Sequence, residues 1–478
     1  MSASTDLVRV ALPRGDLRTP LAERLDAVGF HVEGYGSGAR TYQFDVDDRP
    51  GVRVRVFSDR DIPIQVALGQ YDLGIASRAW IDELLVKYRL DSLVPIRPLD
   101  VGEARLILAG VAGIDVRALA RDRVLRVTTE YPNLAERLLN RLGVPDYRLY
   151  DVWGNAAAWL PEDADLALLP PSGAVADALE EVFEAHRGSA WLIGNRDALG
   201  RRDLSAALDP LLRLPAGAPG GGPAEPRPLG LAPGRRSMPG RDLEVLRLAV
   251  PDGHAQRHTV EALAAAGIAF EGYEFGASVR RPTSDIPGLE VKVMRPQDMP
   301  RAVALGRFDL ALTGRDWLAS HLATFPAAPI AELGDLGRSR YELGAVVPED
   351  LPADTIEDAI AHWRRDDPSR PIRVASEYVP LADRYARDRH LGRYRVIPIS
   401  GASEGFVPDD ADILIEGSET GTTLRANRLR MLDVIMISTN CIIGAREEPA
   451  GPRGALRRDL VERLVAAAPA ALAPAGGD

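Results

Sequence analysis

The sequence predicts an α/β protein built as two tandem copies of one two-lobed module, four lobes in all. Three observations carry this. Short β-rich runs alternate with helical patterns of about 10–15 residues, as parallel α/β sheets require. A segment dense in Pro and Gly, residues 214–242, splits the chain into halves of similar length. The two halves also match each other segment by segment.

The alternation is read from runs such as LVRVAL, GVRVRVF, DLGIA and ADLALL as strands, with TPLAERLDAVG and PNLAERLLNRLG as helices. The segment 214–242 has no hydrophobic period, and its composition buries too little apolar surface to offset ordering entropy, so it reads as a linker. This gives a first module at 1–213, a second at 243–446, and an Ala- and Arg-rich tail at 447–478. VRVALPRGD near residue 8 recurs as LRLAVPDGH near residue 246, and SDRDIPIQVALGQYDLGIASRAWI recurs as RPQDMPRAVALGRFDLALTGRDWL. Asp61 aligns with Asp298, and Trp80 with Trp317, both read as core. Tyr131 then aligns with Tyr378, Trp153 with Ser400 and Asp165 with Asp412, at one constant offset without a gap. The period is far longer than the ~20–50 residues of solenoid units.

A chain of 478 residues exceeds one hydrophobic core, and its 46% hydrophobic and 27% charged residues are those of a globular protein. A formal net charge of -11 counts against broad adhesion to nucleic acid or anionic membrane, so neither is expected as a partner. It leaves room for a phosphorylated small substrate at a locally positive site. The single cysteine, Cys441, excludes an intramolecular disulfide and reads as a buried strand thiol in MLDVIMISTNCII. The first residues lack an apolar signal segment, and no apolar stretch approaches the ~20 residues of a membrane span, so a cytoplasmic location is expected.

Chemistry concentrates in residues 409–430, DDADILIEGSETGTTLRANRLR. An apolar strand, Ile413 to Ile415, leads into Glu416-Gly417-Ser418-Glu419-Thr420-Gly421-Thr422-Thr423. A helix follows, with Leu424, Leu429 and Leu432 expected on its apolar face. Small and hydroxylated residues between strand and helix let backbone N–H groups converge on an anion, with the helix N-terminus adding partial positive charge. Arg425 is placed to help. The carboxylates Glu416 and Glu419 make sense where the ligand also carries a ribose diol or a bound Mg²⁺. A bare TGTT is equally a capped turn; the acid pair and the upstream SGASEG (400–405) favour a ligand site. His254 and His258 have the i, i+4 spacing of metal ligands but no acidic or Cys partner in the local pattern, so no protein metal site is expected. GYGSG (34–38) reads as a turn.

The order ALPRGDL, DIP…DLGIA, EYPNLA and SGASE…ADILIE..ETGTTLRAN resembles ATP phosphoribosyltransferase, the enzyme that opens histidine biosynthesis. The resemblance covers about 7–213 and 244–446, and each half is similar to the family's short, two-lobed catalytic form, whose architecture is like that of periplasmic binding proteins. It implies transfer of phosphoribosyl from 5-phosphoribosyl 1-diphosphate to N1 of ATP, with Mg²⁺ held mainly by diphosphate. Glu416 stands where the family has Asp at the head of the loop, and Thr420, Gly421, Thr422, Thr423 and Leu424 match its phosphate cradle. Glu404 matches an acidic residue serving ribose or metal-bound diphosphate. Gly314, Arg315 and Asp316 match a turn ending a lobe-one strand, and Arg295 matches an arginine before the aspartate of DMP. The resemblance assigns Arg315 and Arg295 to diphosphate, and implies an intramolecular pseudo-dimer, possible homo-oligomers and a possible regulatory subunit.

The departures are complementary. The second half replaces the family's basic LPKGRL with Pro251-Asp252-Gly253-His254. The first keeps Pro13-Arg14-Gly15 but loses the cradle: Pro170 and Pro171 remove N–H donors, no acid precedes Ser172, and Ala157 stands where Glu404 would. One competent site is therefore expected, in the second half. The alternative expectation is an inactive duplicated homologue that senses nucleotide or histidine; a periplasmic binder is opposed by the lack of a signal peptide.

Overall fold

The computed structural model describes residues 7–36, 43–46, 48–88, 90–171, 179–218, 221–232, 236–240, 244–401 and 403–469. The chain divides into two compact units, Met1–Pro239 with Ile399–Gly405, and Gly240–Pro398 with Phe406–Asp478. Among the described residues no helix is long and apolar enough to cross a membrane.

Each unit holds two large sheets, one per lobe, and the second unit adds a two-stranded ribbon, Phe270–Glu271 with Thr283–Ser284. In the first unit, strands 43–45, 52–57, 8–13, 73–77, 190–195 and 93–98 lie side by side in that order. The second sheet runs 222–223, 180–188, 104–110, 166–169, 125–129 and 147–151. The second unit repeats the plan, with 289–294, 246–251, 310–314, 440–445 and 330–335 in the third lobe. Its fourth lobe runs 394–398, 372–376, 413–418, 341–348 and 429–438. In both units the chain crosses from the first sheet's lobe to the second's and returns once. The returning strand, Ala190–Asn195 or Asn440–Ala445, inserts antiparallel between two strands of the first sheet. The expected pair of two-lobed α/β modules is thus present.

One local device recurs in every lobe. An aspartate stands immediately before a central strand, and its carboxylate accepts the backbone N–H of the arginine second in the neighbouring parallel strand. The pairs are Asp72 with Arg9 (2.8 Å), Asp165 with Arg126 (2.9 Å), Asp309 with Arg247 (2.9 Å) and Asp412 with Arg373 (2.8 Å). Each aspartate N–H also donates to the carbonyl of the same arginine, at 2.9–3.0 Å. The next residues pair in register: Val10 with Leu73, Val127 with Leu166, Leu248 with Leu310, Val374 with Ile413. All four aspartates are buried, where a carboxylate is tolerated only when paired and hydrogen-bonded. Arg126 and Arg123 flank Asp165, while Arg373 and Arg370 flank Asp412. Even the backbone acceptors repeat: Arg126 Nη1 donates to Glu162 O and Arg373 Nη1 to Asp409 O, both at 2.7 Å.

Two readings of the sequence change. The segment 447–478 is not merely a tail, because its helix Gly451–Ala466 buries Leu460 and Leu464 in the third-lobe core. The segment 214–239, in its described residues, is strapped along the first unit. Leu214 is buried in the first-lobe core, Gly222–Pro223 adds a short strand beside Glu180–Gly188, and Leu229 and Leu231 rest on the second-lobe core. Its few apolar residues are anchored one at a time, which leaves no period to read, and Pro-rich chain has less entropy to lose. Cys441 is buried on its strand as expected. Trp80 stacks on Tyr131 and Trp317 packs on Tyr378, with ring centroids 4.1 and 4.4 Å apart.

Asp165→Ala strands the buried Arg126 and is expected to cost about 3–5 kcal/mol, read as a lowered denaturant midpoint. The arginines around Asp412 are partly exposed, so Asp412→Ala is expected to cost less. Breaking the exposed Arg121–Asp122 pair serves as the control and leaves the midpoint unmoved. A second expectation concerns Glu83, whose carboxylate accepts Asn133 N (2.8 Å) and Leu134 N (2.9 Å) at the start of helix Pro132–Leu142. Burial pushes its pKa from 4.5 up to about 7, against the pull of those two N–H groups. A raised carboxyl contributes stability that is complete below the unfolded value and lost as pH rises through the folded one. Thermal unfolding of the wild type should therefore weaken between about pH 4.5 and 7 by an increment that Glu83→Gln removes.

Candidate functional site

In the fourth lobe, strand Ile413–Ser418 is fixed at its start by Asp412 and delivers Glu416, Gly417 and Ser418 at its end. A Cβ on Gly417 would stand 2.6 Å from the Tyr341 ring, so the close approach needs glycine. Gly421 turns the chain with φ 68°, the left-handed region, and heads helix Thr422–Ala426. Ser418 Oγ accepts Gly421 N at 3.0 Å, the hydroxyls of Thr420 and Thr422 lie 2.9 Å apart, and Arg425 donates to Thr420 O at 3.0 Å. Leu424 is buried as the anchor, while Glu419, Thr420, Thr422, Thr423 and Arg425 are exposed. The result is a hydroxyl-rich turn whose helix begins with N–H groups that have no helical partner. The expected longer helix is absent: the chain leaves through Arg428, at φ 55°, into strand Leu429–Ser438. Leu429 and Leu432 are therefore strand residues; the β-rich run LRMLDVIMIS pairs with Tyr341–Pro348, which overrides the helical spacing.

The other predicted residues are distributed unequally. Glu416 is half-buried and its Oε1 accepts Gly417 N at 3.0 Å. Asp316, expected to face substrate, is 0% exposed. Its carboxylate accepts Tyr378 Oη at 2.6 Å and Ser438 Oγ at 2.8 Å, so it joins the third-lobe helix Arg315–Thr324 to the fourth lobe. Arg315 is held by Glu332, at 2.5 and 2.9 Å, and by Asp335 at 3.1 Å, which hold its pKa above the ordinary guanidinium value. Arg295 is the freer cation: its side chain is 41% exposed, Nε has no hydrogen-bond partner, and Nη1 lies 3.4 Å from Asp252. Glu404 sits on the one-turn helix Ser403–Phe406, in the segment that groups with the first unit.

Sequence reasoning missed two features. Asp252, read as a lost positive charge, is paired at 2.7 Å with Arg280 and at 3.4 Å with Arg295, so the local balance stays positive. His254 and His258, on helix His254–Ala265, meet Glu419 of the loop, with one ligand atom of each within 4.8 Å of the others. The third-lobe segment Asp252–His254 thus faces the fourth-lobe loop. Only the second feature had a sequence signal, the i, i+4 histidines.

In the first unit, strand Leu166–Leu169 runs into Pro170 and Pro171, and residues 172–178, including Ser172, lie outside the described residues. Ala157 occupies helix Ala156–Trp159, the counterpart of Ser403–Phe406. Arg60 lies over both Trp80 and Trp153, 5.4 and 5.5 Å from their ring centroids, where the second module has Gln297 and Ser400. Burial pushes Asp61 up to about 6 despite its bond from Ser400 N, and Arg14 donates to Ser400 O at 2.7 Å within the same unit.

A family model for ATP phosphoribosyltransferase matches residues 58–208 and 295–466, taking in both modules and the C-terminal helix. The chain is 31% identical over 228 residues to an ATP phosphoribosyltransferase of Chlorobium chlorochromatii, covering 46% of this chain and 69% of the relative. It is 28% identical over 234 residues to that of Mesorhizobium japonicum, where 47% of this chain covers 99% of the relative. Among solved structures, the ATP phosphoribosyl transferase (HisG:HisZ) complex from Thermotoga maritima matches with 20% identity and a TM-score of 0.37, over 47% of this chain and 98% of that one. With the loop, the repeated lobes and a family match in both halves, the chain belongs to the ATP phosphoribosyltransferase family, a family of glycosyltransferase-class enzymes.

Proposed function

We propose that the second module transfers the phosphoribosyl group of 5-phosphoribosyl 1-diphosphate to N1 of ATP, releasing diphosphate, as the first step of histidine biosynthesis. The observation that carries this is the strand–turn–helix 413–426, with its left-handed Gly421 and exposed threonines. In this reading the turn Thr420–Thr423 and Arg425 hold the 5-phosphate and Glu416 accepts from the ribose hydroxyls. The protein supplies no nucleophile; it aligns two anionic substrates, an effect of about 7–11 kcal/mol at full near-attack geometry. Arg295 stabilises negative charge on the departing diphosphate, and Arg315 joins it by exchanging Glu332 and Asp335 for diphosphate oxygens. Mg²⁺, a hard cation that takes oxygen donors, fits a diphosphate with Glu416 nearby and supplies further neutralisation when bound. The first module, with Pro170, Pro171 and the Arg60 cluster, serves as scaffold.

The test is an assay of purified full-length protein with ATP, 5-phosphoribosyl 1-diphosphate and Mg²⁺, following the phosphoribosyl-ATP adduct. Thr423→Ala removes a hydroxyl donor to a charged ligand and is expected to lower kcat/KM for the phosphoribosyl donor about 10- to 150-fold. Ser172→Ala, at the corresponding place in the first module, should leave it unchanged. The reverse outcome refutes the assignment, and absence of turnover with retained nucleotide binding favours a sensing protein instead.

A further inference from the structure

We propose that His254, His258 and Glu419 form a site for a divalent transition-metal ion of the zinc class, bridging the third-lobe helix and the fourth-lobe loop. Positions four apart share one face of a helix, and here the two imidazole centroids are 5.6 Å apart. The third ligand comes from the loop: one donor atom from each of the three residues lies within 4.8 Å of the others. His254 and Glu419 are exposed and His258 is half-buried, so the side chains have room to close to metal-bond distances at a cost in rotamer freedom.

The donor set selects the ion. The two imidazoles are borderline donors and, with one carboxylate, suit Zn²⁺, Co²⁺, Ni²⁺ or Cu²⁺, whereas Mg²⁺ and Ca²⁺ prefer all-oxygen shells. Three protein ligands leave a position open to water or to an anion, as in His₂Glu zinc sites. A carboxylate also stands behind one ring: His258 Nδ1 is 3.8 Å from Glu261, which is itself held by Arg257 at 3.3 Å and Arg338 at 3.5 Å. At that distance the carboxylate makes no hydrogen bond to the ring, but its negative charge lies close to the cation the site would hold. The first module does not repeat the ligand set, since Asp16 and Pro20 stand at the positions of His254 and His258. The bound ion ties the loop's entry to the third lobe, so loop order becomes metal-dependent.

The experiment uses full-length protein stripped with a chelator and titrated with Co²⁺, with no nucleotide or phosphoribosyl diphosphate present. A single equivalent is expected to bind with a visible ligand-field spectrum that Zn²⁺ displaces. His258→Ala and Glu419→Gln should each weaken binding by at least about tenfold, and the His254→Ala/His258→Ala double variant should lose the spectrum. Unchanged metal-free melting curves establish that these surface variants are folded. Wild-type protein that binds no Co²⁺, or a double variant that binds like wild type, overturns the proposal. With no substrate in the cell, the result is independent of whether the transfer reaction occurs.

Discussion

A buried aspartate that exchanges two hydrogen bonds with the backbone of its parallel neighbour is the contact on which each of the four lobes is built. Shifting a strand by one residue turns every side chain to the other face, so a fixed starting register decides which residues reach the core. It also decides what emerges at the far end. In the fourth lobe the register set by Asp412 and Arg373 brings Glu416 and Gly417 to the strand's end, and the hydroxyl-rich turn follows at once. Ligands in open α/β sheets sit at these carboxyl ends, so the clamp at one end of the strand positions the candidate turn at the other.

The same scaffold carries two different loops. In the second module Gly417 admits the Tyr341 ring and Gly421 supplies the left-handed turn. In the first, Pro170 and Pro171 remove N–H donors at the corresponding place, and Arg60 lies against two indoles. The buried clamps were retained in both because losing one leaves unpaired charge in the core, whereas an exposed loop can change at little cost in stability. The two modules of one chain therefore share the clamps and differ in the loop.

Charge in the second module is balanced by residues distant in sequence. Asp252 stands where a positive charge is expected, yet Arg280 and Arg295 converge on it. Arg315 is committed to Glu332 and Asp335, and Asp316 to Tyr378 and Ser438. The turn matching the family's lobe-one motif thus holds the two lobes of its module together before it can meet any ligand.

Much of this was legible in the sequence. The duplication, the α/β lobes and the strand–turn–helix of 413–426 follow from periodicity and from Gly and Thr at fixed places, since backbone sterics and hydrogen-bond geometry act locally. Tertiary structure alone decided the rest. It made Leu429 and Leu432 strand residues through pairing with Tyr341–Pro348, drew Leu460 and Leu464 of a supposed tail into a core, and pinned a Pro- and Gly-rich segment by the buried Leu214 and the partly buried Leu229 and Leu231. It buried Asp316 and brought Glu419 to two histidines. Those outcomes depend on which distant groups share a low-dielectric interior or face one another across a module, and neither spacing nor composition records that.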